Sequence, residues 1–327
     1  LGRQQFIAAA GLLFWFLRLG ALGAQPIFVP NASFERPDIF YADPRMNAWT
    51  KAPKPPDYVE GGGFLWDQLA GSFDNPQPSS RDHIVNCDGA QAAYLFAVPG
   101  AGFFQDHLSN STNSTATANE RFDIRFEAGK SYRLTAGYVG RGGDMRDGVP
   151  LEMSLFYRDA SSNIVTAAAT VVLNNSQDWP DSTLVITNND GSTSSFIVPV
   201  RTNLVDYSVE LPTVRPGDPW AGKHIGIRFL STVSDEMKGG YWDIDNVRLV
   251  ATLDVPPIAS LQIVGGEEGI RISWASVTGY RYQLRRSADL GSWTDAGDPI
   301  TGTGDELVVT IPVTDTGFFN VVAVPTP

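Results

Sequence analysis

Two short acidic motifs carry the residues of this chain best placed to do chemistry: Asn31-Ala32-Ser33-Phe34-Glu35, and Trp242-Asp243-Ile244-Asp245-Asn246-Val247-Arg248-Leu249. Both border strand-like alternation, where carboxylates brought side by side repel each other unless a cation lies between them. The pair therefore predicts an oxygen-ligand metal site closing a β-sandwich. Little other chemistry is written in the chain. His83, His107 and His224 are scattered, with no i,i+4 pair and no Cys partner, so zinc or copper is not expected. No Gly-x-Ser-x-Gly elbow and no phosphate loop occurs. The single Cys87 excludes an internal disulfide, and its Asn86-Cys87-Asp88-Gly89 setting reads as a turn rather than a thiolate site.

The elements that must position these motifs are strands. Period-two alternation recurs at Tyr132, Leu134, Ala136 and Tyr138; at Leu151, Met153, Leu155 and Tyr157; at Val205, Tyr207, Val209 and Leu211; and at Ile225, Ile227 and Phe229. Gly, Pro, Asn and Asp clusters separate the runs, and no helical period stands out beyond the first residues. The class is all-β: two packed sheets over 25–254 and a second, smaller β-sandwich over 257–327, with the seam at Asp254-Val255-Pro256-Pro257. Residues 51–63 and the Ser/Thr/Asn tract at 109–119 read as loops, the latter with sequons at Asn110 and Asn113.

Residues 1–24 read as an export signal, with Arg3, an apolar run from Phe6 to Leu17 too short to span a bilayer, and a small-residue stretch ending at Ala24. The destination expected is secreted, periplasmic or cell-surface, with no membrane insertion after cleavage. The chain of 327 residues has 24 Lys+Arg against 36 Asp+Glu, a net charge of −12. Such acidity excludes nucleic acid as a partner, because that binding rests on basic patches that release counterions.

Three stretches carry a family resemblance: the Asn31–Glu35 motif, Phe126-Glu127-Ala128-Gly129-Lys130-Ser131-Tyr132-Arg133-Leu134, and Tyr241 to Leu249. Over residues 27–253 they resemble the jelly-roll carbohydrate-binding modules of the galactose-binding-like group. That resemblance implies a structural Ca2+ held by side chains of Glu35, Glu127 and Asp245 and by the carbonyls of Ser33 and Lys130. The last block, with Ile272-Ser273-Trp274 and Tyr282 to Ser287, resembles a fibronectin type III-like module and implies a spacer.

The expectation that follows is an exported, non-catalytic glycan-binding or adhesion protein with a polysaccharide partner. Arg133, Glu152, Phe156 and Arg228 would form the binding face, and Tyr58, Phe64 and Trp66 would supply stacking rings. Two alternatives stand beside it. One is a structural matrix protein. The other is an enzyme: Asp88 to Tyr94, Gly140 to Gly143 and the acidic motifs also resemble calcium-dependent bacterial cyclases on the same jelly roll. There a carboxylic acid in an apolar pocket is the general acid, and Asp243 or Glu152 would serve.

Overall fold

The computed structural model describes residues 24–60, 63–80, 82–109, 121–142, 145–175, 181–187, 190–199, 203–254, 258–266, 269–312 and 317–325. Most of the expected export signal, both sequons, Gly143 and the seam at 255–257 lie outside them. Among the described residues no helix is long and apolar enough to cross a membrane.

The chain is all-β: a jelly-roll sandwich followed by a smaller two-sheet unit. The major sheet runs in the order Val205–Leu211, Lys130–Gly142, Tyr241–Leu253, Gln91–Phe96, Ala70–Asp74, Ala42–Asp43, with Gln25–Ile27 added on Tyr241–Leu253. The second sheet runs Thr50–Lys51, Gly102–Gln105, Gly226–Ser231, Pro150–Arg158, Ile164–Leu173. All of these pairings are antiparallel. A separate hairpin joins Asp181–Thr187 to Thr193–Pro199.

Alternation decides which residues go inside. Tyr132, Leu134, Ala136 and Tyr138 face Leu151, Met153, Leu155, Ile227 and Phe229 across one apolar core. Near its centre Phe34, Trp49, Phe103 and Phe229 interlock, with ring centroids 5.1–5.8 Å apart. Phe34 reaches that cluster from a left-handed backbone (φ 57°), a conformation side chains other than Gly adopt rarely. Asn31 holds the turn in shape. Its amide donates to the carbonyls of Arg36 and Asn47, and its Oδ1 accepts from the backbone N–H of Arg36. The Asn31–Glu35 motif is thus first a core plug, with Glu35 carried on its flank.

The smaller unit has its own cluster of Ile272, Trp274, Tyr282, Leu284, Ile311 and Ala323. One sheet orders Ala259–Gly266, Gly269–Ala275, Glu306–Ile311; the other centres on Tyr280–Ser287, flanked by Phe318–Pro325 on one edge and by Thr294–Asp295 and Ile300–Thr301 on the other.

Candidate active site

The strand Tyr241–Leu253 divides its residues between two faces of the major sheet. Trp242, Ile244, Val247 and Leu249 enter the core. Tyr241, Asp243 and Asp245 therefore stand on the outer face, where Asp243 and Asp245 are nevertheless completely buried. Register names their neighbours. Asp243 lies opposite Tyr94 on one side and Val139 on the other; Tyr241 lies opposite Phe96, and Asp245 opposite Gly137.

Beside Asp243 the outer face is aromatic. Phe96 packs on Phe64 at 4.6 Å, on Tyr241 at 5.6 Å and edge-on to Tyr94 at 5.9 Å. The Tyr94 ring lies across the neighbouring strand at Gly71, where an added Cβ would sit 2.6 Å from the phenol oxygen. Burial, reinforced by the charges of Asp43 and Asp67, pushes the Tyr94 hydroxyl up to about 12, so it keeps its proton at neutral pH. On the other side of Asp243 lies a small apolar cluster of Ile84, Ala92, Val139 and Leu204. Asp243 thus sits between an aromatic row and an aliphatic patch, shielded from water.

Asp245 is roofed by the turn that contains Cys87. Its Oδ2 accepts the backbone N–H of Asp88 at 2.6 Å, while its Oδ1 is buried with no hydrogen-bond partner. Glu35 closes the other side: its Oε1 accepts the N–H groups of Ala90 and Gln91 at 2.9 and 2.8 Å. Gly89 makes this approach possible. Its φ is +95°, and a Cβ there would meet Glu35 Oε1 at 2.4 Å. Gly89→Ala should therefore lower stability by about 1–3 kcal/mol, read as a shift in the urea midpoint at constant slope. A variant as stable as wild type would show that the turn holds no strain. The Cys87 thiol is pushed well above its usual range, first by burial and then by the charge of Asp245, so it is no nucleophile.

Two of the five expected metal ligands, Glu35 and Asp245, converge; two others do not join them. Glu127 forms an ion pair with Lys130 at 2.7 Å. Lys130 pairs with Leu253 and Gly137 with Asp245, so seven residues of extended strand, about 23 Å, separate the two ends. Ser33 sits in the turn beside Phe34. Glu127 and Lys130 are thus taken out of the expected set, which leaves Ser33, Glu35 and Asp245, and among the described residues no group of three or more His, Cys, Asp or Glu forms a metal cluster. The sequence marks Asp88 to Tyr94 only through the cyclase resemblance and does not place the turn beside Glu35 and Asp245, because its contribution is backbone, which leaves no side-chain signature. The Asn246 N–H and the Cys87 thiol also act on the Asp245 carboxyl, and its buried Oδ1 is an acceptor that a hard, oxygen-favouring cation fits.

The expected glycan-binding face is not assembled either. Phe156 points away from the core as alternation requires, but it lies flat over Gly226 and against Phe104 and is 1% exposed, leaving no face for a sugar. Glu152 is ion-paired to Arg228 at 2.7 Å on the second sheet, whereas Arg133 pairs with Glu210 at 2.5 Å on the major sheet. Trp66 is a core residue whose indole N–H donates to the Ala52 carbonyl. Tyr58 packs on Trp66 at 4.8 Å, and its hydroxyl donates to the carbonyl of Phe64. Of these seven, only Phe64 stands in the aromatic row beside Asp243.

The family model of the HpiC1-like proteins, described as HpiC1 cyclase, matches residues 25–250, and the chain belongs to that family. No curated protein matches it. Among solved structures, a cyclase from Fischerella sp. TAU is 19% identical with a TM-score of 0.46, covering 71% of this chain and 98% of that one. The Stig cyclase Fisc from Fischerella sp. TAU, in complex with (3Z)-3-(1-methyl-2-pyrrolidinylidene)-3H-indole, is 20% identical at 0.44, covering 70% and 98%. The C-terminal family 22 carbohydrate-binding module of Clostridium thermocellum Xyn10B is 11% identical at 0.30, covering 69% and 96%. Likenesses this distant say nothing about chemistry. Family membership does, and it overturns the expectation of a non-catalytic carbohydrate-binding protein with a polysaccharide partner.

Proposed function

We propose that this chain is a cyclase that closes a ring in a small, largely apolar, π-rich substrate by proton donation from Asp243. The observation that carries the reading is a completely buried carboxyl placed directly opposite Tyr94, beside the row of Phe96, Phe64 and Tyr241. Shielding from water is the setting in which carboxylic acids serve as proton donors. The proton passes to one carbon of a substrate double bond, the cation formed is stabilised by the aromatic faces, and the carbon–carbon bond closes the ring. The Asp243 carboxylate then recovers a proton from an adjacent carbon, so product and substrate have equal mass. Phe64, half exposed on the loop before Trp66, is the ring whose displacement admits substrate.

Glu152, the other acid considered, is ion-paired to Arg228 at 2.7 Å and belongs to the opposite sheet, away from the aromatic row. The test is incubation of the purified chain with a panel of small alkene-bearing aromatic compounds, followed by chromatography and mass spectrometry. Conversion of at least one compound to an isomer of identical mass is expected. A folded protein that converts none would contradict the reading.

For the corner at Glu35 and Asp245 we propose a structural calcium ion, held by those two carboxylates and supplying stability rather than chemistry. Burial raises the Asp245 carboxyl to about 7 from 3.8. In the absence of a cation this group favours the folded state most below pH 4 to 5; that advantage is lost as pH rises toward 7, because the unfolded carboxyl ionises first. Calcium takes the place of the proton. Adding it to metal-stripped protein at pH 6 should therefore release a proton and raise the melting temperature, and Asp245→Asn should abolish both responses. Identical melting curves with calcium and with chelator would remove the ion.

A further inference from the structure

The second sheet carries a feature that the cyclase reading does not use. Where the strands Gly102–Gln105 and Pro150–Arg158 end and Gly226–Ser231 begins, a groove of about 310 Å3 opens, lined by His107, Arg125, Arg158, Asp159, Lys223 and His224 among others. None of these residues belongs to the aromatic row, to Asp243 or to the Asp88 turn. The two imidazoles, far apart in sequence, stack with centroids 3.9 Å apart and planes inclined by 17°.

The polar groups of this groove divide into spent and unspent. Arg158 is anchored from behind, its Nε donating to the buried Asp106 at 2.7 Å and one terminal nitrogen to the Ser162 carbonyl at 2.8 Å. Among the described residues its second terminal nitrogen makes no hydrogen bond, while the guanidinium also lies over the Phe104 ring, 5.5 Å from its centroid. Arg125 uses one terminal nitrogen on the Gly222 carbonyl at 2.8 Å. Lys223 is exposed. The one acid in the lining, Asp159, is occupied by its own turn: it accepts the N–H groups of Ser161 and Asn163 and the Asn163 side-chain amide at 2.8–3.0 Å. Asp123 lies at the far edge of His224, on Nε2 at 2.7 Å. His107 adds a buried Nδ1 with no hydrogen-bond partner.

We propose that this groove binds a small molecule through an oxyanion, a phosphate or sulfate group, seated between Arg125, Lys223 and the free edge of Arg158. Such groups supply charge-assisted donors in the fork geometry that oxyanions match. The groove is several times larger than an inorganic anion, which leaves room for the organic part of an ester. The stacked imidazoles tie binding to pH. Burial, with the neighbouring His107 and Arg125, holds the His224 imidazole below its usual range. A bound anion favours the His224 imidazolium, so binding takes up a proton and tightens as pH falls.

Titration calorimetry of the full chain with sodium sulfate, whose charge is constant between pH 5.5 and 7.5, reads the pH dependence; phenyl phosphate reads the organic room. Saturable sulfate binding at least threefold tighter at pH 5.5 than at 7.5 is expected, with phenyl phosphate tighter than inorganic phosphate at equal pH. The exposed replacements Lys223→Gln and Arg125→Gln should each weaken binding at least fivefold, while Asp243→Asn leaves it unchanged. Heats that never saturate, or saturable binding that survives both charge replacements, would overturn the proposal. A protein that binds these anions but converts no alkene would separate the groove from the cyclase reading.

Discussion

Replacing Asp243 by Asn should slow ring closure by about 10²–10⁴-fold, the range that general acid catalysis contributes. The change removes the transferable proton and keeps the volume, so the surrounding packing of Val139, Ala92 and the Tyr94 ring is preserved. Circular dichroism and the urea midpoint should therefore stay close to wild type. Asp243→Glu should recover part of the rate, limited by the extra methylene in a fully buried position. Glu152→Gln serves as the control, because Glu152 is bound to Arg228 on the other sheet, and the rate should change less than twofold. An Asp243→Asn enzyme with an unchanged rate would move proton donation to another group.

Phe34→Ala should cost about 3–5 kcal/mol, a large part of the stability of a typical domain. Phe34 is fully buried and touches Trp49 at 5.5 Å and Phe103 at 5.8 Å, so truncation leaves a cavity that the stiff aromatic cluster cannot fill. The effect should spread along the chain. Its carbonyl accepts the Gln91 side-chain amide at 2.7 Å, and the next residue, Glu35, holds the Ala90 and Gln91 N–H groups over Asp245. A loosened Phe34 would thus weaken the proposed calcium affinity as well as the fold. Denaturant unfolding with and without calcium measures both, and a loss under 1 kcal/mol would show that the core collapses around the gap.

Much of the fold was legible because alternation is a direct record of burial. Leu134, Ala136, Leu151, Met153, Leu155, Ile225, Ile227 and Phe229 were all placed inward, and all are completely buried. The site was legible in part. The Trp242–Leu249 motif marked the right strand, and its period-two alternation puts Asp243 and Asp245 on one face. What covers that face is contributed by Tyr94, Phe96, Phe64 and the Cys87 turn, from strands and loops distant in sequence. Glu127 and Lys130 enter the expected metal set through the carbohydrate-binding-module resemblance, but their strand start lies at the opposite end of the sheet from Asp245. Phe156 shows a different limit. Alternation predicts its direction, yet the side chain is covered because Gly226, on the paired strand, leaves space for the ring to lie flat. The stacked pair His107 and His224 had no local signal at all.

Family membership changed the functional conclusion more than the geometry did. The acidic motifs fit a binding module and a cyclase equally well, since both use them to build the scaffold. The proposed reading adds one residue, a carboxyl closed off from water beside aromatic rings, where a glycan-binding face would be open and wet.

The most direct measurement of the central claim is conversion of a responsive alkene substrate in D2O, with product deuterium located by NMR. Proton donation from Asp243, which exchanges with solvent between turnovers, predicts one deuterium in the wild-type product, on the alkene carbon that takes the proton beside the new bond, and product formed about 10²–10⁴-fold more slowly with Asp243→Asn. Product formed at the wild-type rate by Asp243→Asn, or formed by wild type without deuterium, would contradict acid-initiated ring closure by this residue.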